Sequence, residues 1–354
     1  KQVCKGILIS KLSIKGNQVI HTKDHTTFFK GSVPCDAKGI PIRSIINNSR
    51  LQKLSANISA NHLFSSKPNG GYRNYYHKME SYISMISNHV ESVYANQTAK
   101  TFRVLKDAEC NSPFAYVDTS SIRADILAIN NKLSGLKVGI IGLGGTGSYI
   151  LDMVSKTHVN QIHIFDGDVF NQHNAFRSPS AAPIEILDKN VKKVDYYKNL
   201  FGNIHLGISA HGNYITKSNL DLLKDLDFVF IAIDRGTIKK LIFNFLEDIG
   251  IRFIDCGIGV INKNDSLLAS VRTNSSIEGF RDHLWTNKIS FEDEDDQENI
   301  YSSNIQLCEL NIMSACLAVL KWKQLYGVYH DLDNAYSSVY NSSVNEIINE
   351  DVRN

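Results

Sequence analysis

From residue 137 onward, hydrophobic and polar positions follow two alternating patterns. The short apolar run Val138 to Ile141 is typical of a strand buried on both faces, and further segments rich in apolar residues predict strands at 161–165, 206–210, 227–233 and 251–256. Between these runs, apolar positions recur at the spacing of helices that bury one face. The alternation predicts an α/β fold with a Rossmann-like doubly wound sheet, in which ligands bind beyond the carboxyl ends of the strands.

The first 130 residues follow a less regular pattern. Short strand-like segments alternate with glycine and proline turns, and apolar positions at helical spacing predict helices over 75–93 and 120–133. The second of these, the connecting helix, carries an apolar stripe formed by Ile122, Ile126, Ile129 and Leu133. We therefore expect a smaller α+β accessory domain over residues 1–130 and an α/β domain over residues 131–354.

Composition narrows the functional classes. The chain has 354 residues and a formal net charge of +2, which argues against the strongly basic face of a nucleic-acid-binding protein. Its apolar runs are shorter than a membrane span. The six cysteines are scattered and form no CxxC pair, a pattern typical of reduced thiols. We expect a cytoplasmic protein that binds neither nucleic acid nor membrane.

The most informative stretch follows the predicted strand 138–141. It contains Gly142, Gly144, Gly145 and Gly147, and helical spacing begins at Ser148. Glycines permit a tight turn and close approach of the backbone to phosphate, while the helix N-terminus offers free N–H groups. A purely structural turn is the alternative, but the acidic residues that follow favour a nucleotide site.

Three carboxylates come directly after predicted strands. Asp166 and Asp168 follow strand 161–165, about 20 residues after the glycines, where a ribose-binding carboxylate belongs. Asp234 follows strand 227–233. Because the carboxyl ends of parallel strands meet at one edge of a sheet, all three are expected beside the glycine loop.

Two other features have weaker functional interpretations. His21, His25 and Cys35 have no spacing typical of a metal site, so ordinary packing and hydrogen bonding are favoured. Residues 274–303 form a long polar insertion with an acidic run, Glu292 to Asp296. It is interpreted as a solvated loop, with a crossover above the active site or a partner contact as the alternative.

The stretch from Asp166 to Arg177 resembles a signature of the ThiF/MoeB family, which includes the adenylation domains of ubiquitin-activating enzymes. Members carry GxGGxGS and then DxD, with Asn six and Arg nine residues beyond the second Asp. Asn174 and Arg177 match both spacings, and Lys193 and Asp234 match the downstream Lys and Asp. The segments Phe176-Arg-Ser-Pro and Asn304 to Asn311 are similar to a bacterial subgroup that has an uncharacterised N-terminal domain.

The resemblance implies a role for each matched residue. Asp168 would hold the ribose hydroxyls, Asn174, Arg177 and Lys193 would neutralise the triphosphate of ATP, and Asp234 would hold Mg²⁺. Arg123 matches an arginine that family members supply across a homodimer interface. Cations and Mg²⁺ suit this chemistry, because the attacking carboxylate and the leaving pyrophosphate both carry negative charge.

The chain also departs from the family pattern. Ser178 replaces the usual glutamine, and Lys189, Lys192 and Lys193 all lie near the position of the family lysine. The paired CxxC motifs that bind zinc in many relatives are absent, so we expect no zinc. Cys256 is the best candidate for a thioester-forming cysteine, although a small buried core residue is the favoured interpretation.

Four functions are compatible with these features. The leading one is ATP-dependent activation of the C-terminal carboxylate of a ubiquitin-like protein, with a conjugating-enzyme-like protein as a further candidate partner. The others are adenylation of a peptide or other small carboxylate, NAD-dependent oxidoreduction, and a non-catalytic scaffold. Residues 1–130 are expected to dock the substrate or a partner, with a degenerate conjugating-enzyme-like domain as the alternative.

Overall fold

A computed structural model describes residues 3–15, 18–20, 23–55, 57–99, 112–116, 118–124, 126–286, 289, 291 and 305–352. The chain divides into two compact units, residues 1–111 with 116–128 and residues 112–115 with 129–354. Among the described residues, every helix is too short or too polar to cross a bilayer.

The first unit is an α+β unit. Its strands are β1 (Ile7–Ile9), β2 (Ile14–Lys15), β3 (Gln18–Val19), β4 (Thr26–Lys30), β5 (Ile46–Asn48), β6 (Gln52–Lys53), β7 (Ser59–Ala60) and β8 (His62–Ser65). Four of them form an antiparallel sheet in the order β1-β4-β8-β5. The predicted helix is α1 (Tyr75–Glu91), and the side chain of Asn74 caps it by accepting a hydrogen bond from His77 N. Phe29, Phe64 and Tyr82 are buried at the centre of this unit's core.

His25 and Cys35 each contact a neighbouring polar group of the first unit. His25 Nε2 lies 3.1 Å from Ser65 Oγ, and Cys35 Sγ donates to Val33 O. The described residues of the chain contain no group of three or more His, Cys, Asp or Glu side chains that could hold a metal ion. These contacts agree with ordinary hydrogen bonding, and His21 lies outside the described residues.

The prediction of one connecting helix over 120–133 was wrong. The structure has α2 (Thr119–Arg123), α3 (Leu127–Asn130) and a 3₁₀ turn at Asn131–Leu133. Leu133 is buried, whereas Ile126 and Ile129 remain exposed. A short helix is marginal in water unless tertiary packing covers its apolar face, so the stripe did not suffice to keep the helix continuous.

The second unit is organised around an eight-stranded sheet. Its strands are β9 (Lys137–Ile141), β10 (Gln161–Phe165), β11 (Ile208–His211), β12 (Phe228–Ile231), β13 (Arg252–Lys263), β14 (Ser266–Ser276), β15 (Ala335–Asn341) and β16 (Glu346–Val352). They lie in the order β11-β10-β9-β12-β13-β14-β15-β16, parallel from β11 to β13 and antiparallel beyond. The predicted α/β doubly wound fold is therefore confirmed.

Helices cover this sheet. They are α4 (Gly145–Val154), α5 (Gln172–Ala175), α6 (Ile184–Leu187), α7 (Lys193–Phe201), α8 (Gly236–Asp248) and α9 (Cys308–Leu325). One core joins Val138 and Ile140 of β9 to Trp322 of α9. Another joins Ile141 to Phe243 of α8. Successive side chains of a strand point to opposite faces, so these two cores lie on either side of the sheet.

The long hairpin of β13 and β14 was not predicted. The expected strand ended at residue 256, but β13 continues to Lys263 and turns back through Asn264 and Asp265, which adopt φ values of +53° and +59°. Two residues with positive φ are typical of a hairpin turn whose twist matches the strands. The polar insertion expected from residue 274 consequently begins inside a buried strand, because β14 runs to Ser276.

Candidate functional site

The glycine loop connects the carboxyl end of β9 to the N-terminus of α4. Gly142 adopts φ +87°, a conformation that favours glycine, and a Cβ on Gly147 would lie 1.8 Å from Gly142 O. A Cβ on Gly144, by contrast, would meet no atom within 4 Å among the described residues. The loop therefore requires glycine at two positions for its own shape and leaves open space at a third.

Asp166 stabilises this loop from the neighbouring strand. Its side chain is buried and accepts hydrogen bonds from Leu143 N at 2.7 Å and Asp168 N at 2.8 Å. It therefore fixes the backbone of the glycine loop and orients Asp168. Asp166 was predicted to bind the cofactor directly, and its contacts here are internal to the protein.

Asp168 and Lys193 form the centre of the site. Lys193 Nζ lies 2.7 Å from Asp168 Oδ2 and 3.6 Å from Asp166 Oδ2, and the lysine is buried while Asp168 is partly exposed. Partial burial works to raise the pKa of Asp168, but the hydrogen bonds from Lys193 and Tyr214 outweigh it and lower that pKa. Asp168 is thus held as a carboxylate at the edge of the crevice.

The structure also separates the three candidate lysines. Lys189 is exposed, and Lys192, exposed as well, donates its side chain to Gly212 O. Lys193, the first residue of α7, contacts both acidic residues at the end of β10. Of the three, Lys193 is the residue that the fold brings to the glycine loop and Asp168.

Two hydrogen-bond donors in the site have no partner among the described residues. Both Asn174 Nδ2 and Arg177 Nε are buried and unbonded. The Asn174 carbonyl oxygen Oδ1 instead accepts from Asn171 N, which fixes the amide group at the start of α5. Buried donors without partners are costly, so both atoms suit an anionic ligand that accepts hydrogen bonds from them.

Ser178, which replaces the family glutamine, has a clear structural role. It is buried, and its hydroxyl donates to Asn174 O at 2.8 Å. This contact tightens the turn that presents Asn174 and Arg177. Although serine replaces the family glutamine, its hydrogen bond still stabilises the turn that carries Asn174 and Arg177.

Asp234 lies in the segment between β12 and α8, and its side chain is exposed. Its negative charge acts on Arg177: burial lowers the pKa of Arg177, and the attraction of Asp234 partly opposes this. Helix α8 begins at Gly236, with Arg235 at the N-cap position. Asp234 and Arg177, which are far apart in sequence, thus belong to one electrostatic cluster.

Sequence reasoning missed two side chains at the crevice, Tyr214 and Arg235. The Tyr214 hydroxyl donates to Asp168 Oδ1, and the Arg235 guanidinium carbon lies 5.8 Å from the centre of the Tyr214 ring. Arg235 could have been suspected because it follows Asp234. Tyr214 offered no local signal, because its neighbours in the sequence form no motif.

Cys256 is a poor candidate for a nucleophile in this conformation. It is buried in β13, and burial raises the pKa of its thiol to about 12. Next to it, Asp255 is fully buried and pairs with Lys239 of α8 at 2.8 Å. The surroundings of Cys256 favour the packing interpretation.

Two predicted features cannot be related to this site. Arg123 ends α2, but its side chain is outside the described part of the structure, as is the acidic run Glu292 to Asp296. The dimer-interface role of Arg123 therefore stays a prediction. The same holds for the partner-contact interpretation of the acidic run.

Comparison with known proteins agrees with this geometry. Residues 121–264 match the family model described as the ThiF family, and residues 1–119 match one described as a domain of unknown function, DUF6791. The match confirms the expected ThiF-like domain with an uncharacterised domain before it. It supports a nucleotide-binding domain with adenylyltransferase-type activity. The curated proteins contain no match to this sequence.

Solved structures share the fold at low sequence identity. A structure of PaaA is 18% identical with a TM-score of 0.51, and the match covers 77% of this chain and 85% of PaaA. E. coli MccB with MccA-N7isoASN is 16% identical with a TM-score of 0.50, covering 63% of this chain and 66% of MccB. E. coli MccB with selenomethionine MccA is 15% identical with a TM-score of 0.50, and the match covers 66% of this chain and 70% of MccB.

Proposed function

Residues 121–264 form a ThiF family domain, and from that premise we propose that the chain is an ATP-dependent adenylyltransferase that activates a carboxylate. In this reaction a carboxylate oxygen attacks the α-phosphorus of ATP. The bond from that phosphorus to the oxygen bridging to the β-phosphate breaks, which gives an acyl adenylate and pyrophosphate. One observation carries the proposal: the unpartnered donors Asn174 Nδ2 and Arg177 Nε belong to the same cluster as Lys193 and Asp168.

Each residue of the cluster has a role in binding ATP. Asp168 would accept hydrogen bonds from the ribose hydroxyls, and the glycine loop would admit the phosphates beside Gly144, where space is open. Asn174 and Arg177 would donate to phosphate oxygens. Lys193 would add a fixed positive charge close to Asp168. A preorganised set of donors and cations stabilises the charge that develops as pyrophosphate leaves.

The residues of the site also fit Mg²⁺ bound together with ATP. Asp234 supplies an exposed carboxylate, the hard oxygen ligand that Mg²⁺ prefers, with phosphates and waters filling the remaining positions. When bound, Mg²⁺ neutralises phosphate charge. The nearby positive charge of Arg177 acts on the same carboxylate and would hold Asp234 toward the phosphates.

We favour the C-terminal carboxylate of a ubiquitin-like protein as the substrate, in a bacterial ubiquitin-like conjugation pathway. The resemblance of Phe176-Arg-Ser-Pro and of the start of α9 to the bacterial subgroup supports this choice. A peptide or other small carboxylate is the second candidate. The burial of Cys256 favours it, because a substrate released as an adenylate requires no thioester cysteine.

Exchange of labelled pyrophosphate into ATP tests the activity directly. We expect exchange that depends on Mg²⁺ and on a carboxylate substrate, supplied as candidate ubiquitin-like proteins with an intact C-terminus and, separately, as short peptides. The matched control is each substrate with its C-terminal carboxylate amidated, which should give no exchange.

Calorimetric titration complements the exchange assay. We expect ATP with Mg²⁺ to bind more tightly than NAD. Tighter binding of NAD would instead favour an oxidoreductase. Binding of ATP without exchange for any carboxylate would favour the non-catalytic scaffold.

A further inference from the structure

The backbone of Tyr214 is held firmly, whereas its side chain is half exposed. It follows β11, and the next residue, Ile215, is buried in a core of the second unit. The Asn219 side chain donates to Tyr214 O at 2.9 Å and accepts from Thr216 N at 2.7 Å. The Tyr214 side chain itself is 53% exposed. A fixed backbone with a half-exposed ring permits rotation about the side-chain bonds without any movement of the loop.

The ring of Tyr214 lies beyond the carboxyl end of β10. An added Cβ on Gly167 would be 2.7 Å from the ring, and the Tyr214 hydroxyl donates to Asp168. The guanidinium group of Arg235, which follows β12, also lies close to the ring. Tyr214 therefore lies between Asp168 and Arg235, at the edge of the sheet where the glycine loop begins.

Both oxygens of the Asp168 carboxylate are engaged in this conformation. Oδ2 accepts from Lys193 and Oδ1 accepts from Tyr214. Lys193 also lies close to Asp166, so it has a second acidic partner if Asp168 turns to a ligand. Tyr214 is the more easily displaced of the two, because it is half exposed whereas Lys193 is buried.

We propose that Tyr214 is an intramolecular competitor for the nucleotide, its hydroxyl occupying the position on Asp168 that a ribose hydroxyl takes when ATP binds. This inference rests on the proposed function, since it assigns Asp168 to the ribose. A phenol and a ribose hydroxyl are both neutral O–H donors to a carboxylate oxygen, so one can replace the other. Binding of a ribonucleotide then requires Tyr214 to rotate away.

The competition between Tyr214 and the nucleotide should not change with pH over the physiological range. The hydrogen bond to Asp168, together with burial, raises the pKa of Tyr214 to about 12. The hydroxyl therefore stays protonated, and able to donate to the carboxylate, over the physiological pH range.

The test is the affinity for a non-hydrolysable ATP analogue with Mg²⁺, measured by calorimetry on the full chain. Tyr214→Phe removes the hydroxyl and keeps the ring, so we expect roughly 3- to 10-fold tighter binding, the net effect of one ordinary hydrogen bond, because water competes at this half-exposed position. Tyr329→Phe is the matched control, because Tyr329 is also about half exposed and lies outside the site. It should leave the affinity unchanged.

A second pair of variants tests whether the effect passes through Asp168. In an Asp168→Ala background, which should still bind through its phosphate contacts, Tyr214→Phe should give no gain. Equal or weaker binding by Tyr214→Phe in the wild-type background would overturn the inference while leaving the proposed function intact. Failure of the wild-type protein to bind the analogue at all would overturn both.

Discussion

At the residue scale, Asp234 is the side chain whose change should separate binding from chemistry. Asp234→Asn keeps the size of the side chain but removes the charge that would hold Mg²⁺. Adenylation should fall by about 10²-fold or more, because the metal acts mainly where charge develops in the transition state. Nucleotide affinity should weaken only modestly, because Asn174, Arg177 and the loop amides remain. Pyrophosphate exchange and calorimetry measure the two quantities.

The control for this prediction is thermal stability. If Asp234 mainly supported the start of α8, Asp234→Asn would lower the melting temperature and keep its turnover. If Asp234 holds Mg²⁺, Asp234→Asn should keep the melting temperature and lose turnover. An adenylation rate equal to that of the wild type would show the assignment to be incorrect.

Cys256 gives the second residue-scale prediction. Because burial raises the pKa of Cys256 to about 12, its thiol stays protonated at neutral pH. We expect Cys256 to react with a thiol reagent only after unfolding, whereas exposed Cys4 should react in the native protein. Cys256→Ala should keep pyrophosphate exchange. A thioester between Cys256 and an adenylated substrate, formed by the wild type and absent from Cys256→Ala, would restore Cys256 as a catalytic candidate.

The sequence could indicate the part of the candidate site that is encoded locally. The glycines and Asp168 follow recognisable strands, so their proximity is expected from a parallel sheet, whereas Asn174 and Arg177 were expected from the resemblance to the ThiF/MoeB family. Tyr214 reaches Asp168 across β10 and β11, and that contact depends on how two loops fold back beyond their strands. Side chains that meet in this way leave no periodic or motif signal.

At the element scale, the turn from β9 into α4 should tolerate a side chain at Gly144 but not at Gly147. Gly147→Ala would place a methyl group against Gly142 O at 1.8 Å, so the turn must shift. We expect a loss of about 2–4 kcal/mol, the range for a forced steric conflict in a packed region. Gly144→Ala is the matched control: its Cβ meets open space at an ordinary φ of −72°, so the melting temperature should stay near the wild-type value. Equal melting temperatures for both variants would contradict this account.

Two histidines at the edge of the sheet predict a pH dependence. His163 Nδ1 on β10 lies 3.1 Å from His211 Nε2 on β11, and burial lowers the pKa of both side chains. The unfolded chain therefore takes up protons, near a pKa of about 6.5, before the folded protein does. The free energy of unfolding should be highest above that pH and fall as the pH drops toward 5. Denaturant unfolding of the wild type and of a His163→Gln/His211→Gln double variant measures this, and the double variant should show a shallower slope.

Among the predicted elements, strand β10 was placed with its observed bounds, 161–165, because Ile162, Ile164 and Phe165 are apolar and Asp166 follows them directly. The second half of β13 was missed because most residues beyond Gly257 are partly or fully exposed, and they form no long apolar run. The prediction of a continuous connecting helix was wrong because Ile126 and Ile129 of its apolar stripe are exposed, so packing does not hold the helix together.

At the scale of the whole molecule, the resemblance to the ThiF/MoeB family predicts a homodimer in which Arg123 acts on the partner's site. Light scattering should give twice the mass of one chain, 39.7 kDa, at working concentration. Arg123→Ala should lower adenylation with little effect on binding of ATP, and Arg50→Ala, a change at an exposed arginine of the first unit, should alter neither. A monomeric mass together with full adenylation would contradict the prediction.

The pairing of β9 with β12 also governs when the crevice can exist during protein synthesis. Gly139 pairs with Val229, about 90 residues later, and β12 in turn pairs with β13. The sheet of the first unit is complete by Ser65 and uses only nearby antiparallel pairings. At about 5–20 residues per second, a ribosome needs several seconds after making the glycine loop before β12 emerges. The first unit can therefore fold on the nascent chain while β9 still lacks its neighbour β12 and β10 still lacks its neighbour β11. During that interval the apolar edges of both strands are open to non-native pairing.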